Sequence, residues 1–180
     1  MPVNLYLDVD GVLNAVSLDT PDWGWPDAQL STVNGYPIRW STTMVARLNR
    51  LVAREEVTAY WLTTWGSDAA ELLAPALGLD ATGWSVLGEE DRERAIDTLA
   101  LSGTAGWWKL QAVRSHLAPG TPAIWVDDDL DRDPSAVRWA YEQPGLLPLS
   151  PSTSLALTPA DLAAMEAHVD RVGGVGASSP

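Results

Sequence analysis

The chain has 180 residues, 46% of them apolar, which is enough for one domain with a substantial core. It has no cysteine, which excludes disulfide bonds and thiolate zinc sites. Its formal net charge of −13 opposes stable binding of duplex nucleic acid, because like charges repel. No apolar run approaches the roughly 20 residues of a membrane span, so no membrane partner is expected. Since no signal-like segment opens the sequence, we expect a cytoplasmic protein.

Strand and helix patterns alternate along the chain. Apolar runs that end in turn residues predict five strands, at residues 3–9, 57–63, 83–87, 122–127 and 146–149. Helices are predicted behind a Ser41 cap, over residues 67–77, along the apolar face of Leu110 and Val113, and from Pro159 to about Arg171. His116 and His168 are expected on helix surfaces. This alternation predicts an α/β fold, with a mostly parallel sheet between two layers of helices.

Residues 1–172 are predicted to form a single domain, and residues 173–180 a disordered tail. Within the domain, residues 14–40 are rich in Pro, Gly and Trp and interrupt the alternating pattern. The Asn34-Gly35 pair between two strand-like runs is typical of a two-residue β-hairpin. We therefore predict a hairpin flap over the end of the first strand.

Acidic and hydroxyl residues follow three of the predicted strands. In a parallel sheet, ligands bind beyond the carboxyl ends of the strands, so these groups are expected to meet at one edge. Carboxylates gathered there repel one another unless a hard cation neutralises them, and oxygen ligands without a His or Cys cluster favour magnesium (Mg²⁺). The residues concerned are Asp8, Asp10, Thr63, Thr64, Asp127 and Asp128.

Four segments resemble the motifs of the haloacid-dehalogenase-like superfamily and occur in that family's order. They are the segment from Asp8 to Asn14, the segment from Tyr60 to Thr63, Lys109 at the start of a helix, and the segment from Ile124 to Asp128. The resemblance implies a Rossmann-like αβα sandwich with central strand order 5-4-1-2-3 and no room for a full cap domain. Residues 61–66 also resemble haloacid-dehalogenase-like domains associated with RNA repair.

The resemblance implies a role for each matching residue. Asp8 would be the nucleophile that forms an aspartyl-phosphate, and Asp10 the general acid and base, with its backbone carbonyl on the metal. Thr63 would hydrogen-bond the phosphoryl oxygens and Lys109 would balance their charge. Magnesium would be held by Asp8, Asp10, Asp127 and Asp128, although the run of acidic residues leaves open whether Asp127 or Asp128 is the main ligand.

Further residues are candidates for contacts with substrate. Gly11 lies within the first motif segment and Thr64 directly follows the second, and Trp23, Trp25 and Trp40 could form a stacking surface for a planar group. The alternative for the three tryptophans is a small core of the flap itself. Lys109, taken alone, could equally be a surface charge on an amphipathic helix.

The sequence therefore predicts a magnesium-dependent phosphomonoester hydrolase, with an aspartate two residues after the nucleophile that argues against dehalogenation. The expected partner is a phosphorylated substrate, such as a nucleotide, a nucleic-acid end or another exposed phosphate. Two alternatives remain open, namely a non-catalytic binding module on the same fold and a phosphotransferase that uses an acceptor other than water.

Overall fold

The computed structural model describes residues 2–17, 23–102 and 106–173, with only the backbone given for residues 97–102. Five parallel strands form one sheet, namely β1 (Val3–Leu7), β4 (Val57–Trp61), β5 (Ser85–Val86), β6 (Ala123–Val126) and β7 (Leu146–Leu149). Their order in the sheet is β5-β4-β1-β6-β7. When only these five are numbered in chain order, the arrangement read from the β7 edge is 5-4-1-2-3, and the sheet agrees with the predicted α/β class.

Helices cover both faces of the sheet, because alternate residues of each buried strand point in opposite directions. The helices are α1 (Thr42–Val52), α2 (Ala74–Leu77), α3 (Glu89–Ser102), α4 (Trp108–His116), α5 (Pro134–Glu142) and α6 (Pro159–Gly173). On β1, Leu5 and Leu7 pack in the core formed with α1, α2 and α6, whereas Tyr6 packs in the core formed with α4 and α5. None of the helices in the described part of the chain is long and apolar enough to cross a membrane.

Local sequence signals explain several element boundaries. The Ser41 hydroxyl accepts the Met44 N–H at 3.1 Å, which caps α1 as predicted. The predicted helix over residues 67–77 instead begins as a π-helical turn, Ala69–Leu73, and becomes α-helical only in α2. The charged helix α3 was not predicted, because its apolar residues follow no clear helical period. Among the described residues, α6 ends the domain at Gly173; the predicted tail beyond it lies outside them.

The predicted hairpin is present after β1. Strands β2 (Gln29–Val33) and β3 (Tyr36–Trp40) pair antiparallel, and Asn34 and Gly35 form the turn with positive φ angles of 50° and 82°. The hairpin forms a separate two-stranded sheet beside the five-stranded one.

The prediction that His168 lies on a helix surface is wrong, because His168 is buried on α6 together with Met165 and Val169. The inward face of α6 packs against the sheet and α1, and His168 falls on that face. His116 is partly buried, and its Nδ1 lies 3.0 Å from the Tyr6 hydroxyl.

Candidate active site

The three central strands deliver their last residues to one edge of the sheet. Parallel pairing aligns Leu7 of β1 with Trp61 of β4 and with Val126 of β6. The residues that follow these strands therefore emerge side by side. Asp8 and Asp127 come first after their strands, and Thr63 comes two residues after its strand. The predicted strands were about two residues too long at this edge, because the chain turns as soon as the sheet pairing ends.

Lys109 lies between two of the carboxylates. Its Nζ is 2.6 Å from Asp8 Oδ2 and 2.8 Å from Asp127 Oδ2, and only 5% of the residue is exposed. Helix α4 begins at Trp108, so Lys109 leaves the first turn of that helix toward the sheet edge. It is also the only lysine among the 11 basic residues of the sequence. The alternative that Lys109 is an ordinary surface charge does not fit this position.

Asp8, Asp127 and Asp128 form a compact group of carboxylates, in which one oxygen of each lies within 4.8 Å of the others. Three carboxylates and the Lys109 ammonium leave a formal charge of −2, which a divalent cation would neutralise. Although Lys109 is close, the buried Asp127 Oδ2 has no well-oriented hydrogen bond among the described residues. A buried carboxylate oxygen with coordination capacity left, beside two other carboxylates, fits a hard cation such as Mg²⁺.

The environment shifts the titration of all three carboxyl groups. Burial raises the pKa of Asp8 above its ordinary value, even though Lys109 acts in the opposite direction. Burial and the neighbouring Asp8 charge together raise the pKa of Asp127 to about 7. Burial also raises the pKa of Asp128. Burial acts to lower the pKa of Lys109, but the negative charges of Asp8 and Asp127 together outweigh it and raise this pKa, so Lys109 remains an ammonium. Without a metal, the site therefore disfavours three simultaneous negative charges.

These shifts predict that magnesium stabilises the protein more near pH 8 than near pH 5.5. The pKa of Asp127 in the folded protein is raised to about 7. In the absence of metal, the stability that Asp127 contributes is therefore lost as the pH rises from the ordinary pKa of an aspartate to about 7. Magnesium binds the ionised carboxyl and must displace the proton at low pH, so its affinity is higher above pH 7. Thermal unfolding with and without Mg²⁺ at both pH values measures this difference. An equal shift in Tm at both values would contradict it, and Asp127→Asn should remove most of the shift.

Gly11 has a packing role beside this group. Its φ is +71°, and a Cβ built there would lie 2.3 Å from Cγ and Oδ2 of Asp128. Any side chain at position 11 would therefore displace Asp128. The Asp128 carboxylate also accepts a hydrogen bond from the Thr153 hydroxyl. Glycine at position 11 thus leaves the space that the Asp128 side chain occupies, whereas the predicted contact of Gly11 with substrate stays a prediction.

The Asp10 carboxylate is held by two donors that the sequence did not indicate. Asn14 Nδ2 donates to Asp10 Oδ1 at 2.8 Å, and the Trp65 indole N–H donates to Asp10 Oδ2 at 2.9 Å. Asn14 is itself fixed, because its Oδ1 accepts the Arg39 backbone N–H at 2.9 Å. The Asp10 side chain stands apart from the three-carboxylate group. Its predicted role as a metal ligand therefore rests on its backbone carbonyl and stays a prediction.

The two threonines after β4 have different positions. Thr63 is buried, and its Oγ1 accepts the Trp65 backbone N–H at 3.3 Å. Thr64 is exposed and lines the cleft above the carboxylates. Of the two, Thr64 is the one that lines the cleft, and the predicted contacts of both threonines with a phosphorylated ligand stay predictions.

The three tryptophans of the flap are used mainly in packing. Trp40 belongs to the main core, Trp23 packs against Ala15 and Ala156, and the Trp25 indole N–H donates to the Leu157 carbonyl at 2.7 Å. None of the three lines the cleft at Asp8 in the described structure. Their placement supports the alternative that they build the core of the insert, in place of a stacking surface for substrate.

The cleft over Asp8 has a volume of about 490 Å³ and opens between the hairpin and the start of α4. Its floor holds Asp8, Asp10, Lys109 and Asp128, and its aromatic walls come from Tyr36 on one side and from Trp107 and Trp108 on the other. Trp107 is supported by stacking on Trp125, with ring centroids 5.3 Å apart. Residues predicted to act in acid–base chemistry, nucleophilic attack and cation binding thus line one accessible cleft.

The model of one protein family, described as the HAD domain in Swiss Army Knife RNA repair proteins, matches residues 4–161. The match includes every candidate catalytic and metal-binding residue from Asp8 to Asp128. It confirms a haloacid-dehalogenase-like domain and indicates phosphohydrolase or RNA-repair-related activity at that general level. Comparison with curated proteins and comparison with solved structures gave no match.

Proposed function

The chain belongs to the family of HAD domains found in Swiss Army Knife RNA repair proteins, and from this premise we propose that it is a magnesium-dependent phosphomonoester hydrolase. The proposed substrate is a phosphorylated nucleic-acid end or a nucleotide. The observation that carries the proposal is the pairing of Asp8 with Lys109 at 2.6 Å, within a buried group of carboxylates suited to a divalent cation.

In the first step, one carboxylate oxygen of Asp8 attacks the phosphorus atom. A P–O bond to Asp8 forms as the P–O bond to the leaving oxygen breaks, and Asp10 gives its proton to that oxygen. Asn14 and Trp65 each donate to one Asp10 oxygen, which fixes the orientation of the carboxyl group at the cleft. The products are an aspartyl-phosphate on Asp8 and a free alcohol.

In the second step, a water molecule attacks the phosphorus atom of the aspartyl-phosphate. Asp10, now a carboxylate, takes a proton from this water, and the P–O bond to Asp8 breaks. Inorganic phosphate leaves, and both aspartates return to their starting states. The same residue therefore serves as acid and then as base.

Lys109 and Thr63 would hold the phosphoryl group in line during both steps. Lys109 offers positive charge from the side of Asp8 and Asp127, and Thr63 offers a hydroxyl beside Asp8. Asp8, Asp127 and Asp128 would hold Mg²⁺, which when bound supplies the positive charge that lets a phosphate dianion approach these carboxylates.

An accessible cleft supports an exposed phosphate as substrate. The hairpin lies at one side of the cleft, and Tyr36 is 62% exposed at its tip. The net charge of −13 disfavours a long contact with a polyanion. The proposed contacts with the substrate are therefore limited to the terminal phosphate and the group directly attached to it.

The test is release of inorganic phosphate from 3′- and 5′-phosphorylated oligonucleotides and from p-nitrophenyl phosphate, with Mg²⁺ or with excess EDTA. We expect activity in Mg²⁺ only, and a loss of about 10³-fold or more in kcat for Asp8→Asn, because the amide cannot form the intermediate. Release that persists in EDTA or in Asp8→Asn would contradict the proposal. A phosphorylated alcohol formed with added acceptor would indicate a phosphotransferase instead.

A further inference from the structure

A second cavity, of about 290 Å³, adjoins the cleft on the side of Asp10. It lies between the tip of the hairpin and the loop after β4. Its described lining residues are Asp10, Asn34, Tyr36, Thr64, Trp65 and Asp68. Asp10 is the one candidate catalytic residue that it shares with the main cleft.

The proton transfer in the proposed function, on which this inference rests, indicates a role for this cavity. A general acid must lie within hydrogen-bond reach of the oxygen that it protonates. The leaving oxygen must therefore be next to the Asp10 carboxylate, and the group attached to that oxygen must fill the space beside Asp10. We propose that this cavity is the leaving-group subsite, and that it takes the terminal nucleoside of the substrate by stacking its base on Tyr36.

Two aromatic side chains give the cavity its preference for a planar group. The rings of Tyr36 and Trp65 meet edge to face, with centroids 5.7 Å apart and an interplanar angle of 62°. The Trp65 ring is fixed by its hydrogen bond to Asp10, whereas 62% of Tyr36 remains exposed. A large exposed aromatic at the mouth of a polar cavity offers a base a surface for stacking.

The charge of the cavity indicates what kind of leaving group fits. Two of its six described lining residues, Asp10 and Asp68, are acidic and none is basic. A second phosphate in this cavity would be repelled, so the group beside Asp10 should be uncharged. A nucleoside meets this condition, and Thr64, Asn34 and Asp68 are polar lining residues that its sugar hydroxyls could contact.

The hairpin tip is already held in place for this contact. Asn34 Nδ2 donates to Asp68 Oδ2 at 2.9 Å, and the Tyr36–Trp65 ring pair forms a second link between the hairpin and the loop after β4. A wall that is ordered before binding loses less conformational entropy when the ligand enters. The volume of the cavity, about 290 Å³, also suits one nucleoside rather than several.

The test compares substrates that differ in the base. The pairs are adenosine 5′-monophosphate with ribose 5-phosphate, and adenosine 3′-monophosphate with glycerol 2-phosphate. We expect the wild type to prefer the nucleotide in kcat/KM, and Tyr36→Ala to lower that preference about tenfold, as expected for one lost stacking contact. Tyr36→Phe should keep it. Tyr141→Ala is the matched control, because Tyr141 is 76% exposed on α5, away from the cavity.

Calorimetric titration with adenosine tests the subsite without turnover. Saturable binding that Tyr36→Ala weakens about tenfold would support the subsite, even if no substrate is hydrolysed. Hydrolysis without a preference for the nucleotide, or a preference unchanged in Tyr36→Ala, would overturn this inference and leave the proposed function intact. If the protein neither hydrolysed any of these substrates nor bound adenosine, both this inference and the proposed function would be overturned.

Discussion

Lys109→Met is expected to lower the free energy of unfolding by about 3 kcal/mol near pH 8 in the absence of metal, because it leaves Asp8 and Asp127 buried without their ammonium partner. The loss should be smaller near pH 5.5, where protonation can neutralise the raised-pKa carboxyls. Mg²⁺ should recover part of it by replacing the missing positive charge. Urea unfolding at both pH values, with and without Mg²⁺, measures these three quantities.

Arg114→Met is the matched control for Lys109→Met. It removes one positive charge from the same helix, but Arg114 is exposed and lies 6.0 Å from the Trp139 ring. We expect its cost to stay within about 1 kcal/mol, at either pH. If the two variants lost similar stability, Lys109 would be a surface charge, and the buried ion-pair arrangement would be wrong.

Asp10→Asn is expected to reduce kcat by about 10²- to 10⁴-fold, because the amide can neither protonate the leaving oxygen nor activate water. The substitution keeps the size of the side chain and loses one of its two hydrogen bonds, because the amide NH2 cannot accept from Asn14 or Trp65. The three-carboxylate group of Asp8, Asp127 and Asp128 is unchanged, so the binding of Mg²⁺ there should be preserved. Single-turnover measurements should show that both formation and hydrolysis of the aspartyl-phosphate are slowed. A substrate with a good leaving group, such as p-nitrophenyl phosphate, should be affected less in the first step.

Trp65→Phe tests whether the orientation of Asp10 matters for this chemistry. The phenyl ring retains an aromatic wall but removes the indole N–H that holds Asp10 Oδ2 at 2.9 Å. A loss of about tenfold in kcat is expected from a misaligned acid. Trp139→Phe, on α5 beside Trp125, provides a matched control and should leave kcat unchanged. Equal activity of the two variants would show that Asp10 needs no support from Trp65.

The fold could be predicted from the sequence because its main elements are locally encoded. Apolar runs marked the five strands of the sheet, Ser41 marked the start of α1, and Asn34-Gly35 marked the hairpin. Each signal acts within a few residues, through capping, turn geometry or the alternation of buried side chains. The carboxyl-end rule then brought Asp8, Thr63 and Asp127 to one edge without knowledge of any long-range contact.

The contacts that complete the site depend on approaches between distant segments. Trp65 reaches Asp10 across 55 positions in the sequence, and Lys109 reaches Asp8 across 101. Neither distance is encoded in a local pattern. A signal for Lys109 was nevertheless present, because Lys109 is the only lysine of the sequence and all the remaining Lys and Arg positions are arginine. For Trp65, its place two residues after Thr63 was the available signal.

The aromatic residues illustrate the same distinction. Richness in tryptophan pointed to residues 23, 25 and 40, but composition cannot tell whether a ring faces the core or a ligand. Two of these three rings are buried, whereas the exposed ring at the cleft belongs to Tyr36, at the hairpin turn. Burial on α6 likewise decided the position of His168, which no feature of the helix pattern alone had indicated.

The central claim is that Asp8 attacks phosphorus, and the most direct measurement is the transfer of label from a ³²P-phosphorylated substrate to the protein. Reactions quenched in acid within the first turnover should contain labelled wild-type protein, and hydroxylamine should release that label, as it does from acyl phosphates. Asp8→Asn should carry none, while Asp10→Asn should retain the label longer than the wild type, since its hydrolysis step is slowed. Phosphate release by the wild type without any labelled protein, or label that persists in Asp8→Asn, would contradict the claim.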